Sequence, residues 1–276
     1  GEISLDKKVK ISRHAASEPP SKLGLRPGQK VRLRYLIRAA AVKSANDAAT
    51  ALGEAIEGSE AAFARRMNRT AKAMGMNRTT FKNAHGLTES GHLSTARDMT
   101  ILGRHLFYDF PDYYHLFARK TAAAGSKKVR NTNRRFLSNY RGADGIKTGY
   151  TRAAGYNLVA SANRNGERII TTVFGGRSTT TRNAQVAKLM NLGFKKAPRN
   201  VKLQKPKPPS YIAIARAYPV INLSKSLRPK IRPENNTDNN LIAVNEFKSD
   251  ILSALKLAQA EDNPSENPSA GDTNIS

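Results

Sequence analysis

Three side chains of this sequence have the types needed to recognise a carboxylate and move a proton: Ser44, Asn46 and Lys147. A serine hydroxyl can relay a proton, an asparagine amide can grip a peptide bond as donor and acceptor, and a lysine ammonium can neutralise a terminal carboxylate. Lys147 opens the triplet Lys147-Thr148-Gly149, and a glycine there lets a ligand backbone lie close against a strand. Lys-Thr-Gly alone is a pattern that a basic sequence produces by chance, so its setting decides what it means.

That setting reads as antiparallel sheet. Gly155–Ala162 and Arg168–Phe174 have strand composition, and Asn165-Gly166 between them is the dipeptide that tolerates positive φ at both centres of a tight hairpin turn. The Lys-Thr-Gly segment, Asp144–Thr151, is then the first of three consecutive strands. Upstream the pattern is helical. From Val31 the apolar face is Leu33, Leu36, Ile37 and Ala40, interrupted at Ser44-Ala45-Asn46-Asp47, where short polar side chains can point into a cleft. A second helix runs from Asp47 to Glu57, and a third is capped by Ser59 with a Phe63, Met67 and Ala71 stripe. Ser94 is expected to cap a fourth, with Met99, Leu102 and Leu106 inward, followed by a short aromatic helical turn at Tyr113–Phe117. Ser178 starts a last helix carrying Val186, Leu189, Met190 and Leu192.

Composition narrows the classes. The chain has 276 residues, 39% hydrophobic, with a net charge of +26 and no cysteine, which excludes disulfide frameworks and thiolate metal sites. Residues 1–200 hold 37 Lys+Arg against 13 Asp+Glu, so the positive field belongs to this part and draws it toward polyanions: nucleic acid, an anionic lipid surface or a cell-wall polymer. No helix-turn-helix, zinc-finger spacing or aromatic RNP-like strand supports the first of these. No run is long and apolar enough to span a bilayer. Lys205-Pro206-Lys207-Pro208-Pro209 reads as a linker, and 197–276 as a mostly disordered tail with a possible short helix at 247–258.

Ser-x-Asn and Lys-Thr-Gly occur together, with Ser-x-x-Lys, in serine–lysine acyl-transfer sites. With Leu25-Arg26-Pro27-Gly28, Asn83-Ala84-His85-Gly86-Leu87, Ser94–Asp98, Asp144–Thr151 and Ala154–Val159 in the same order, residues 3–194 resemble the serine-type D-alanyl-D-alanine carboxypeptidases, the low-molecular-mass penicillin-binding proteins. The resemblance implies an α/β (α+β) β-lactamase/penicillin-binding-protein transpeptidase-like fold in residues 1–196, with an antiparallel sheet flanked by a helical subdomain over about 31–117. It further implies that Ser44 shuttles protons and that Asn46 binds the substrate's peptide amide. Lys147 anchors the C-terminal carboxylate beside Thr148, Gly149 and Thr151, and the Tyr150 N–H completes an oxyanion hole. Arg134 is a further candidate for the carboxylate, while His85 and Asp98 are scaffold residues near the cleft. The implied chemistry uses neither metal nor cofactor. Its substrate is the peptidoglycan stem pentapeptide, its inhibitors are β-lactams, and its location is the periplasm or the outer face of the cytoplasmic membrane. An anionic wall or membrane surface, rather than nucleic acid, then explains the charge.

One family element is missing. The nucleophile of these enzymes lies in a Ser-x-x-Lys upstream of the Ser-x-Asn, before the segment matching Ile3 onward. Ser4-Leu5-Asp6-Lys7 and Ser253-Ala254-Leu255-Lys256 satisfy the pattern but fall in the wrong segments. The expectation is that the first strands and the nucleophile helix precede Gly1 in a longer parent. The chain itself is then inactive, and a non-catalytic wall-binding relative is the alternative.

Overall fold

The computed structural model of the chain describes residues 2–198 and 202–209. The amphipathic stretch at 247–258 and Ser253 lie outside the described residues, as does most of the expected tail.

Two apolar clusters organise the described part. The first gathers Val9, Ile11, Leu25, Val31, Leu33, Leu36, Ala39, Val42, Ala48 and Val129. It is enclosed by strands β1 (Lys8–Lys10) and β2 (Lys30–Arg32), helices α1 (Arg13–Ser17), α2 (Leu33–Arg38) and α3 (Asn46–Glu57), and the hairpin β3 (Thr121–Ala124) with β4 (Lys127–Arg130). α4 (Glu60–Ala73), with Ser59 as its N-cap, packs on α3. Gly53 of α3 admits the Phe63 ring: a Cβ there would sit 2.8 Å from it. Val31 is in β2, not in a helix, because its pairing with Val9 buries it under the first cluster. The inward face of α2 and its continuation is Leu33, Leu36, Ala39 and Val42. Ile37 and Ala40 are only half-buried. The inward residues recur every three positions along one face, and the last turn widens into a π-helix at Ala39–Lys43.

The second cluster lies on the sheet β5 (Ala143–Thr151), β6 (Gly155–Arg164) and β7 (Glu167–Gly176), antiparallel in that order. Asn165 (φ 53°) and Gly166 (φ 85°) make the two-residue turn that their sequence predicts. Successive strand residues face opposite sides, and each side carries a helix. Leu158, Ala160 and Ala162 pack on Val186 and Met190 of α8 (Thr179–Lys196). On the other side Gly103 of α5 (Ala96–Asp109) approaches Ile146, Val159 and Ile170 closely enough that a Cβ would sit 3.0 Å from the Ile146 side chain. Expected contacts are corrected here too. Leu189 (36% exposed) and Leu192 (46%) face away from the sheet, which α8 meets with Arg182, Val186 and Met190, flanked by Ala187, Gly193 and Phe194. The N-cap of α5 is Thr95 rather than Ser94, its hydroxyl accepting from the Asp98 N–H. Met99, Leu102 and Leu106 are half-buried, while Gly103 and His105 are buried. α6 (Pro111–Tyr114) and a 3-10 turn at His115–Ala118 account for the aromatic segment, and α7 (Arg134–Asn139) leads into β5.

Candidate active site

The π-helix is the device that presents Ser44. Its widened turn sends the Ser44 and Ala45 N–H groups back to the same acceptor, the Ala39 carbonyl, and leaves Ser44 left-handed (φ 62°, ψ 40°) between two helices. A serine in that region costs about 1 kcal/mol or more, strain of the kind found where a side chain must be aimed. Its Oγ accepts a hydrogen bond from Lys147 Nζ on β5. With a lone pair engaged by the ammonium, the Ser44 O–H is left to donate to whatever enters beside it. Lys147 Nζ also donates to the Thr148 carbonyl at 2.9 Å. No carboxylate pairs with it among the described residues, and withdrawal from water pushes its pKa down to about 8. A half-buried ammonium held by neutral oxygens can accept an anion as a further partner.

β5 is the outer strand of its sheet, so among the described residues its second edge pairs with no other strand. Gly149 lies on this strand, where an added Cβ would make only ordinary contact with Asn157 Cβ at 3.8 Å, so the fold itself does not demand a glycine there. Thr148 Oγ1 donates to Thr132 Oγ1 at 2.7 Å. Thr132, which the sequence did not single out, sits in an ordered loop. The Thr132 N–H donates to the Val42 carbonyl of the π-helix, and buried Asn131 donates to the Phe117 and Arg119 carbonyls. Asn133 reaches the Gly145 carbonyl of β5 at 3.4 Å. The loop therefore fixes the π-helix and β5 relative to each other. Three consecutive short polar residues, Asn131-Thr132-Asn133, were the only sequence signal for it.

Other expected residues are placed differently. Asn46 is buried (8% exposed), and its amide nitrogen donates to the Pro19 carbonyl at 2.9 Å, which leaves Oδ1 for a ligand. Thr151 Oγ1 accepts from the Ala154 N–H at the β5–β6 turn, so it stands at the far end of the strand. Tyr150 projects from β5, 57% exposed, with its ring 4.4 Å from that of Tyr156. Arg134 begins α7 with an exposed side chain. Asp98 accepts from the Arg78 N–H and from Thr79 Oγ1, bonds that hold its carboxyl below the usual range against the opposing effect of burial. His85 Nδ1 accepts from the Leu87 N–H. Ser4 and Lys7 are exposed, with Ser4 Oγ accepting from the Asp6 N–H of its own turn.

A family model described as D-alanyl-D-alanine carboxypeptidase matches residues 1–178. The chain belongs to this family. The D-alanyl-D-alanine carboxypeptidase DacF of Bacillus subtilis is 41% identical to it over 201 residues, 70% of this chain and 51% of that protein. Among solved structures, the D-alanyl-D-alanine carboxypeptidase DacD from Francisella tularensis superposes with a TM-score of 0.66 at 34% identity, covering 70% of this chain and 59% of that one. Penicillin-binding protein D2 from Listeria monocytogenes, in its cefotaxime-bound form, gives 0.62 at 33%, covering 70% and 78%. The chain spans about half the length of the curated carboxypeptidases it matches. The mixed fold with its antiparallel sheet is thus the penicillin-binding-protein fold that the Ser-x-Asn and Lys-Thr-Gly stretches imply.

Proposed function

We propose that the chain carries the substrate-recognition half of a serine-type D-alanyl-D-alanine carboxypeptidase. The reaction is removal of the terminal D-alanine from peptidoglycan stem pentapeptides in the bacterial envelope. The observation that supports this best is the Lys147 ammonium, which has no carboxylate of its own among the described residues and lies on an open strand edge against the Ser44 hydroxyl. A peptide laid along the β5 edge as an added strand brings its terminal carboxylate to Lys147 and Thr148. Its penultimate carbonyl then lies toward the Tyr150 N–H, and its amide toward Asn46 Oδ1. Attack of a serine Oγ on that carbonyl forms the acyl-enzyme, and the serine's proton passes through Ser44 to the departing amine. D-alanine leaves, and water cleaves the ester. A β-lactam enters by the same route, its carboxylate in place of the peptide's.

The attacking serine needs its Ser-x-x-Lys partner. The sequence offers two such strings, of which the first is an exposed turn and the second lies outside the described residues. We therefore expect this 276-residue polypeptide to bind D-Ala-D-Ala peptides without turning them over. Fluorescent-penicillin labelling followed by peptide mapping tests it, on this chain and on one joined to any upstream coding sequence. Covalent label on the short chain, at Ser4 or Ser44, overturns the expectation. Absence of label on the extended chain as well favours a non-catalytic wall-binding relative.

The depressed Lys147 pKa adds a pH dependence. Below about pH 8 the ammonium is charged and holds the carboxylate; above it, the charged fraction and with it the affinity fall about tenfold per unit. Fluorescence anisotropy with a D-Ala-D-Ala peptide from pH 6.5 to 9.5 reads this directly, with the C-terminally amidated peptide as control. A flat profile for the free acid removes Lys147 from the carboxylate site.

A further inference from the structure

We propose that His14, Glu18 and Glu60 form a binding site for a divalent transition-metal ion, with Zn2+ as the probe, behind the Ser44-Ala45-Asn46 turn. One ligand atom from each lies within 4.8 Å of the others. His14 Nε2 is 2.8 Å from Glu60 Oε2 and 3.9 Å from Glu18 Oε1. Donors around a tetrahedral ion with bonds near 2.0–2.1 Å are separated by about 3.3–3.4 Å, and these two separations bracket that value. The set mixes one imidazole with two carboxylates, which suits a borderline first-row ion and leaves a fourth position for water or a further ligand. That position opens outward, because the His14 side chain is 58% exposed.

Charge argues for a cation here. The Glu18 and Glu60 side chains are only 8% and 14% exposed, yet in a chain with 47 lysines and arginines neither acid has a salt bridge to one among the described residues. Their ion-pair partners are imidazoles alone, which are charged only when protonated. The hydrogen bond to Glu60 and the nearby carboxylates raise the His14 pKa, so an imidazolium can pair with the two acids. A divalent ion held by the neutral ring and both carboxylates would take over that role with a larger charge.

The surroundings are arranged as an outer shell. Thr50 Oγ1 donates toward Glu18 Oε1 at 2.9 Å and approaches Glu60 Oε1 at 3.3 Å, and the Ala84 N–H donates to Glu60 Oε1 at 2.9 Å. His85 belongs to this shell rather than to the ligand set. Its Nδ1 accepts from the Leu87 N–H, so in the neutral ring Nε2 carries the proton and points it at Glu18 Oε2 (3.3 Å) and Glu60 Oε1 (3.6 Å). Such second-layer donors orient carboxylate ligands. The ion would join α1, α4 and the segment after Glu18, whose Pro19 carbonyl accepts from the Asn46 amide. Metal occupancy would therefore brace Asn46 without touching substrate.

Calorimetric titration of the metal-stripped chain with Zn2+ tests the site by itself, independently of any carboxypeptidase activity. One ion per chain is expected, with a rise in Tm that grows with free Zn2+ as linkage requires. His14→Ala, at an exposed position where folding should survive, is expected to weaken binding at least tenfold and remove the Tm rise, while His85→Gln weakens it less. Glu60→Gln, checked for folding by circular dichroism, should behave as His14→Ala does. Absence of saturable binding up to about millimolar Zn2+, or binding that His14→Ala leaves unchanged, overturns the proposal.

Discussion

Lys147→Met is expected to abolish measurable recognition of a D-Ala-D-Ala carboxylate while leaving the protein more stable near neutral pH. Loss of a charge-assisted contact to the carboxylate should weaken peptide binding by about 2–3 kcal/mol, on the order of 30- to 150-fold. Stability moves the other way. Burial alone depresses the amine from 10.5 to about 8, so the folded chain holds this charge at a cost that the unfolded chain does not bear. Between about pH 8 and 10.5 the unfolded amine keeps its proton and the folded one releases it. Folding stability of the wild type therefore rises with pH across that window, and the cost is fully present below it. The methionine variant lacks this slope. Its advantage at pH 6–7 should be about 1 kcal/mol, less than the full linkage value because the amine keeps some contact with water and its bonds to Ser44 and Thr148 are lost as well. Thermal melts of both proteins at pH 6.5 and pH 10 decide the matter. If the gap between them does not narrow as pH rises, the amine carries no desolvation cost in the folded state.

The costly burial of Lys147 beside Ser44 was partly readable in the sequence. The hairpin was legible because its signal is local: Asn165-Gly166 admits few conformations, and β-branched residues follow on the returning strand. Lys147 on the first strand followed from the hairpin, and the Ser44 junction from a break in helical pattern. The parts that orient these groups were not legible. Ala39–Lys43 is Ala-Ala-Ala-Val-Lys, which any helix accommodates, and nothing in these residue types announces the π-turn that the chain forms there. Thr121–Ala124 and Lys127–Arg130 have weak strand propensity, and their alternation emerges only where Ala122, Ala124 and Val129 meet the first core. Arg182 shows the same limit. It is 4% exposed and donates to the Asn157 carbonyl, a burial that no reading of a lone arginine on a helix would assign.

Asp47 is the residue whose importance the sequence understated most, and Asp47→Ala should be the most destabilising change near the site. In the sequence it reads as an acid in the first turn of a helix, where the dipole favours it by a few tenths of a kcal/mol. In the fold its side chain is wholly buried and accepts from four backbone N–H groups. Those of Leu23, Gly24 and Leu25 lie at 2.9, 2.8 and 3.0 Å, and that of Ala48 at 2.9 Å. One carboxylate therefore staples the 19–25 loop to the start of α3. Alanine leaves the buried Leu23 and Leu25 N–H groups without an acceptor, each costing about 1–3 kcal/mol, while the N–H of exposed Gly24 can turn to water, so a total loss of about 4 kcal/mol is expected. Asparagine keeps one acceptor oxygen but turns an NH2 toward the same donors, and should cost about half as much. The same loop carries Pro19 and Ser21, whose carbonyls accept from the Asn46 side chain and backbone. Peptide affinity should therefore fall even in the fraction that stays folded. Lys147→Met separates the two quantities, whereas Asp47→Ala couples them. Urea unfolding together with peptide anisotropy measures both. An Asp47→Ala chain within about 1 kcal/mol of wild type would mean that the loop finds other acceptors and that Asn46 is held by something other than this staple.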